Sequence, residues 1–220
     1  MSNKKTGLSV CILFLSLVVA LAAGCQNAKY AMWEKLGMEK RHLLKSEVEK
    51  VADEQGEASR QFEDTLARIK ALYGFDGKEL EKVYNRLSND YVRSREQAER
   101  VRERIGNVEQ IARDLFAEWE AEANEITNAT LKAKSKQSLR DAQSRYKKLH
   151  AAMKRAEASM DPVLTNLNDY VLYLKHNLNA QAVGALKNEA ESIDKDISIL
   201  IREMNESIRQ AEEFLREFEA

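Results

Sequence analysis

The chain has few of the residues that interrupt helices and few of those that bind metals or form disulfides. Its 220 residues include one proline, eight glycines, two cysteines and three histidines. The scarcity of proline and glycine excludes a loop-rich fold, because these residues mark turns. Two cysteines cannot form a disulfide framework, and the shortage of cysteine and histidine argues against a zinc site. No segment alternates polar and apolar residues with a period of two, so we predict no β-strand.

What the chain does contain is typical of long helices. Alanine, glutamate, lysine, arginine, leucine and glutamine dominate, and 35 basic residues almost balance 36 acidic ones. These residue types are strong helix formers. Apolar residues recur at alternating steps of three and four, and this 3.5-residue period indicates a coiled coil or a long helical bundle. The periodic segments are residues 44–73, 80–126, 139–160 and 183–218.

Three breaks divide the periodic pattern. Residues 73–77 combine a helix-ending glycine with a cap at Asp76, residues 127–130 contain Asn128, and residues 176–179 contain two asparagines. Four helices of similar length joined by short loops must run up, down, up and down. We therefore predict an all-α fold, an elongated up-down-up-down antiparallel four-helix bundle. A second arrangement, two helical hairpins that pair only in a dimer, stays open.

The single proline lies inside the third predicted helix. Pro162 removes one helical hydrogen bond, so we expect that helix either to kink or to restart, with Asp161 as its cap. Both outcomes fit one elongated domain.

The N-terminus has the three parts of a secretory signal. Lys4 and Lys5 are followed by an apolar core, Leu8 to Ala20, and then by small residues. The apolar run Leu8 to Ala23 spans 16 residues. A bilayer crossing needs roughly 20. A cleaved signal is therefore favoured over an uncleaved anchor, which stays the alternative.

The signal ends in Leu21-Ala22-Ala23-Gly24-Cys25, which resembles the lipobox of bacterial lipoproteins. The resemblance implies cleavage of residues 1–24 and acylation of Cys25, with palmitate among the fatty acids. It leaves residues 25–220 as a single helical bundle domain on a membrane. Gln26 in place of aspartate favours, by analogy with enterobacterial sorting, the outer membrane and an orientation facing the periplasm.

Several segments further along are similar to a family of uncharacterised gammaproteobacterial lipoproteins, a domain of unknown function. They are Phe75-Asp76-Gly77, Phe116-Ala117-Glu118-Trp119-Glu120 and the run from Tyr170 to Ala180. The resemblance implies a coiled-coil lipoprotein and supplies no catalytic residue.

The search for catalytic chemistry finds one weak motif. Glu39 and His42 have the E-x-x-H spacing of di-iron bundles, but neither His150 nor His176 follows a glutamate at that spacing. Phosphate-binding glycine loops and nucleophile motifs are absent from the sequence. The carboxylates between Glu118 and Glu125 have the spacing of a solvated helix face. We therefore expect no enzyme activity, no metal and no cofactor.

Charge is segregated between the later helices. Residues 132–155 are strongly basic and the final helix is acidic. Either the basic third helix pairs with acidic helices two and four, or it offers a surface to an anionic partner. We predict that Lys132, Lys134 and Lys136 contact anionic lipid headgroups near the anchor. Nucleic acid is not an expected partner of an exported protein.

Aromatic residues gather near the predicted loops at the other end. Tyr73, Phe75, Tyr170, Tyr173 and His176 form a candidate tip for binding an envelope protein, since such side chains often anchor interfaces. Phe75 could instead cap the bundle core. The sequence thus predicts a non-enzymatic outer-membrane lipoprotein with a structural or protein-binding role. The alternative is a lipid- or small-ligand-interacting module that uses the basic third helix or the bundle core, and self-association stays open.

Overall fold

The computed structural model describes residues 40–71, 80–177 and 180–219, and within these ranges every regular element is an α-helix. Helix α1 is Lys40–Ala71, α2 is Leu80–Glu125, α3 is Ala129–His176 and α4 is Ala180–Glu219. No strand occurs in these ranges, which confirms the predicted all-α class. The signal, Cys25, Tyr73 and Phe75 lie outside the described residues.

The connection between α2 and α3 lies where the sequence predicts it. Asn128 is the N-cap of α3, and its side-chain oxygen accepts a hydrogen bond from the backbone N–H of Leu131 at 3.1 Å. This bond satisfies one of the backbone donors that a helix start leaves without a partner. The cap explains why α3 begins at Ala129, with only three residues between it and the end of α2 at Glu125.

The C-terminal end of α3 is also capped by asparagine. The backbone N–H of Asn177 donates to the oxygen of Leu174 at 3.2 Å, and its side-chain nitrogen donates to the oxygen of Tyr173 at 2.9 Å. Two of the last carbonyl groups of the helix are thereby paired. The predicted break at residues 176–179 is confirmed.

Helix α3 continues through its proline. Its 48 residues form one helix with Pro162 inside it, so the predicted restart at this position is wrong. Asp161 is not a cap, and its carboxylate instead accepts a hydrogen bond from the guanidinium of Arg102 in α2. Side chains of α3 contact neighbouring helices on both sides of the proline, Asp161 with Arg102 before it and Asn166 with Asp196 after it.

Consecutive helices pair in antiparallel fashion. Between α1 and α2, Glu47 contacts Arg104 at 3.4 Å and Arg68 contacts Asp90 at 2.7 Å, so residue numbers rise in one helix as they fall in the other.

Helices α2 and α3 follow the same rule. Glu109 contacts His150 at 2.8 Å, and the indole nitrogen of Trp119 donates to the hydroxyl of Ser135 at 3.1 Å.

The last helix contacts both α3 and α1. Arg155 lies 3.2 Å from Glu203, and Asn166 donates to Asp196 at 2.8 Å, which again is an antiparallel order. Lys70 of α1 lies 2.8 Å from Asp194 of α4.

The periodic apolar positions form the core. Most predicted seam residues are buried, which confirms the heptad pattern, and α3 keeps alternating steps of three and four from Leu139 to Leu174. Where the structure differs from the prediction, the alternation of three and four is kept, and the residue just before the predicted one is buried. Buried residues at such positions are Thr65, Val83, Asp90, Ser207 and Phe214, whereas their predicted neighbours Leu66, Tyr84, Tyr91, Ile208 and Leu215 are half-buried.

Candidate interaction surface

The C-terminal end of α3 brings two of the predicted tip residues to the surface. Tyr173 is 39% exposed, and His176, the last residue of the helix, is exposed. Tyr170 is only 7% exposed and belongs to the core, so the structure corrects its assignment to a binding tip. Tyr170 lies on the buried seam of α3. Tyr173, three residues later, lies beside the seam, and its side chain is exposed to solvent.

Sequence reasoning missed two apolar residues on the same part of the molecule. Leu172 is 49% exposed and Val92 of α2 is 37% exposed. Arg102 of α2 contacts Asp161 of α3. Val92 lies ten residues before Arg102, and Leu172 lies eleven residues after Asp161. In antiparallel helices Val92 and Leu172 therefore lie at the same level, about 15 Å along the axis from that contact. Apolar residues at outward positions of the heptad are the signal that could have found them.

The α2 side of this surface also carries an aromatic–cation pair. The guanidinium carbon of Arg95 lies 5.8 Å from the ring centroid of Tyr91, which is half-buried against the core. Such a contact contributes about 0.5–1 kcal/mol at an exposed site. We use the name apolar surface for Val92, Leu172 and Tyr173.

The predicted headgroup-contact residues lie at the other end of α3. Lys132 donates to the backbone oxygen of Asn124 at 2.8 Å, and Lys134 and Lys136 make no ion pair to any residue in the described ranges. Leu131 beside them is 56% exposed. Basic and apolar side chains are thus presented together at the first two turns of α3.

The basic run of α3 divides into two halves. In the second half, Arg145 lies 3.5 Å from Glu217 of α4, and Lys154 lies 3.9 Å from Glu109 of α2. Arg155 makes the ion pair with Glu203 described above. The predicted pairing of the basic helix with its acidic neighbours is confirmed for these three residues. Lys132, Lys134, Lys136 and Arg140 in the first half make no ion pair with any described residue.

An aromatic cluster that sequence reasoning did not single out joins α2, α3 and α4. The ring of Tyr146 packs edge-on against Phe116 at 5.5 Å and Phe214 at 6.5 Å between centroids, and it stacks on His150 at 5.7 Å. Burial, with a smaller contribution from the charge of Glu109, raises the pKa of Tyr146 to about 12, and Arg113 opposes the shift. The phenol therefore stays protonated at neutral pH, and the cluster holds helices together.

Two observations on the described residues concern metal and ligand binding. Within them, no three or more side chains of His, Cys, Asp and Glu gather into a potential metal site, and His42 is exposed. A cavity of about 160 Å³ lies between α1 and α2, crossed by the ion pair of Arg68 and Asp90. Ligand pockets are typically about 300–1,000 Å³. None of the helices in the described ranges is long and apolar enough to cross a membrane.

Comparison with known proteins gives a family and no characterised relative. No curated protein and no solved structure is significantly similar to the chain. A family described as "Protein of unknown function (DUF2959)" matches residues 29–218, which include α1, α2 and α3 and all of α4 except its last residue. The chain therefore belongs to the DUF2959 family.

Proposed function

We propose that this chain is a lipid-anchored structural or protein-binding element of the bacterial cell envelope. Acyl groups on Cys25 hold it to the outer membrane, and its helices extend into the periplasm. The lipobox-like sequence Leu21 to Cys25 supports the anchor. The exposed apolar residues Val92, Leu172 and Tyr173 support a role in binding.

The helix contacts support a closed four-helix arrangement. Each helix contacts the next in antiparallel order, and the contact of Lys70 with Asp194 links the first helix to the last. We infer an up-down-up-down bundle formed by a single chain. In this bundle the α2–α3 connection and the end of α4 lie at one end, where Arg145 contacts Glu217.

One observation carries the binding role: the apolar surface of Val92, Leu172 and Tyr173 lies far from the α2–α3 connection. Helix α3 has 48 residues and is about 72 Å long, and Leu172 and Tyr173 are in its last turns. Exposed aliphatic and aromatic side chains are common anchors of protein interfaces. In the proposed orientation the membrane lies at the opposite end, so this surface is presented to periplasmic partners.

Lipidation is tested by labelling. Cells that express the chain are fed radioactive palmitate, and the wild type is compared with Cys25→Ser and, as a control, Cys11→Ser. We expect label in the wild type and in Cys11→Ser, and none in Cys25→Ser. Equal labelling of all three chains would refute the anchor.

Partner binding is tested by photo-crosslinking in cells. A photoreactive residue replaces Tyr173, with exposed Ala158 in the middle of α3 as the matched control. A discrete adduct at Tyr173 alone supports a binding protein and yields its partner. Equal adducts at both sites, or none at either, would count against a partner at the apolar surface.

The second candidate is an interaction with anionic lipid headgroups. It is favoured by Leu131, 56% exposed, next to the uncompensated charges of Lys134 and Lys136. Each lysine near an anionic surface contributes about 1 kcal/mol. Binding of the unlipidated Cys25→Ser chain to phosphatidylglycerol vesicles tests it, with Leu131→Ser/Lys134→Glu as the variant. A small-ligand role for the bundle core is less favoured, because buried apolar side chains occupy most core positions of the described residues.

A further inference from the structure

The α2–α3 hairpin carries two charged stripes of opposite sign that the proposed function does not use. In each stripe the residues are three, four or seven positions apart, so they lie on one side of their helix. The basic stripe is Lys132, Lys136, Arg140 and Lys147 on α3, and the acidic stripe is Asp114, Glu118, Glu122 and Glu125 on α2.

Most of this charge is not neutralised by any residue that the structure describes. All eight side chains are exposed or half-buried. The basic stripe makes no ion pair with any described residue, and its hydrogen bonds go to neutral oxygens of Asn124 and Gln137. Glu122 and Glu125 also lack an ion-pair partner in that part of the chain. The basic stripe and the last two members of the acidic stripe, Glu122 and Glu125, are therefore available to an external group of opposite charge.

The basic stripe lies on the side of α3 next to α2. Lys132 precedes His150 by eighteen residues, which is five helical turns, and His150 contacts Glu109 of α2. Lys136, Arg140 and Lys147 lie on the same side of α3, rotated from Lys132 towards the outer surface of the hairpin.

The acidic stripe lies on the far side of α2. Glu122 follows Arg104 by eighteen residues, and Arg104 contacts Glu47 of α1. Between the stripes, α2 exposes the small side chains of Ala117 and Ala121. The two stripes of one chain thus run side by side without contact. The small side chains of Ala117 and Ala121 between them allow another helix to approach closely.

We propose that a second copy of this chain docks on the outer surface of the α2–α3 hairpin, with the two-fold axis parallel to the helices. A two-fold interface uses the same patch of both copies. Rotation about an axis along the helices exchanges the two edges of the hairpin, so each basic stripe faces the acidic stripe of the other copy. Rotation about an axis across the helices would place like charges opposite each other.

The charge pattern therefore selects the parallel pairing, in which both α2–α3 connections point the same way. This orientation suits two chains attached to one membrane. The pairing itself depends on the stripes and not on the anchor, so it can stand or fall independently of the proposed function.

The first test measures the mass of the full chain, purified in detergent, by sedimentation at low and high salt. We expect two chains per particle at low salt and one at high salt, because salt screens exposed charge pairs. A single chain at every concentration and salt would overturn the proposal. A dimer that salt strengthens would also overturn it, because like charges would then face each other.

The second test reverses the stripes. Lys136→Glu/Arg140→Glu and Glu122→Lys/Glu125→Lys should each abolish the dimer, and an equimolar mixture should restore it as a heterodimer with both contacts complementary. The control is Arg93→Glu/Lys195→Glu, which changes the net charge equally at exposed residues that make no ion pair with any described residue. A dimer that survives either stripe reversal, or a mixture that stays monomeric, would refute the interface.

Discussion

The imidazole Nε2 of His150 lies 2.8 Å from Oε1 of Glu109, which makes this pair a direct link between α2 and α3 in the middle of the basic run. The ring of His150 also stacks on Tyr146, so the polar contact adjoins the aromatic cluster. A histidine that looks like one more polar residue in the sequence thus helps to fix the register of two helices.

Tyr146 should ionise later than an ordinary tyrosine. Its pKa of about 12 lies above the usual 10, because burial disfavours the phenolate. The folded state holds the proton more tightly than the unfolded state, so this contribution to stability is complete below pH 10 and is lost as the pH rises towards 12. Absorbance titration of tyrosinate should show a late component that Tyr146→Phe removes. Tyr173→Phe is the control, and a late component that persists in Tyr146→Phe would contradict the assignment.

Leu131 and Leu149 should differ sharply in their contribution to the free energy of unfolding. They are eighteen residues apart on the same side of α3, yet Leu131 is 56% exposed and Leu149 is 0% exposed. Leu149→Ala should lower the free energy of unfolding by about 2–5 kcal/mol, since it leaves a cavity. Leu131→Ala should change it by less than about 0.5 kcal/mol. Urea unfolding followed by circular dichroism measures both, and equal effects would mean that the two sites are equally covered.

Gln55 is a buried amide that weakens the core. Its side chain is 0% exposed, and neither its oxygen nor its nitrogen has a hydrogen-bond partner in the described part of the chain. Gln55→Leu should therefore raise the free energy of unfolding by about 1–3 kcal/mol, the cost of an unsatisfied polar group.

The matched control for that change is Gln97 of α2. Its side-chain nitrogen donates to the backbone oxygen of Glu54 at 3.2 Å and to the carboxylate of Glu54 at 3.0 Å. Gln97→Leu should lower the free energy of unfolding in the same urea experiment. If Gln55→Leu also lowers it, the buried amide has a partner, such as a bound water, that stabilises it.

Asn128 should contribute more to the free energy of unfolding than an ordinary loop residue. Its side chain accepts the hydrogen bond that starts α3, so Asn128→Ala should cost about 0.5–2 kcal/mol. Asn128→Asp keeps an acceptor and should retain most of the stability. Thermal unfolding of the two variants compares them, and an alanine variant as stable as the wild type would show that the cap is dispensable.

The helices and their ends follow from the sequence alone. Strong helix formers with a 3.5-residue apolar period require long helices, and asparagines at 128 and 177 stop or start them because their side chains pair with free backbone groups. The all-α class and the breaks near these residues were therefore predictable. The surface that carries the proposed binding role was only partly so, since Tyr173 was found while Val92 and Leu172 were missed.

Only the tertiary structure decided which residues occupy the seam where polarity and geometry disagree. At Thr65, Asp90 and Ser207 the alternation of three and four places a polar residue inside, while Leu66, Tyr91 and Ile208 beside them stay half-buried. Many contacts with the neighbouring helices fix the rotation of each helix about its own axis. A single apolar residue cannot change that rotation. The same constraint buries Tyr170, carries α3 through Pro162 and leaves the two charged stripes of the α2–α3 hairpin on its surface.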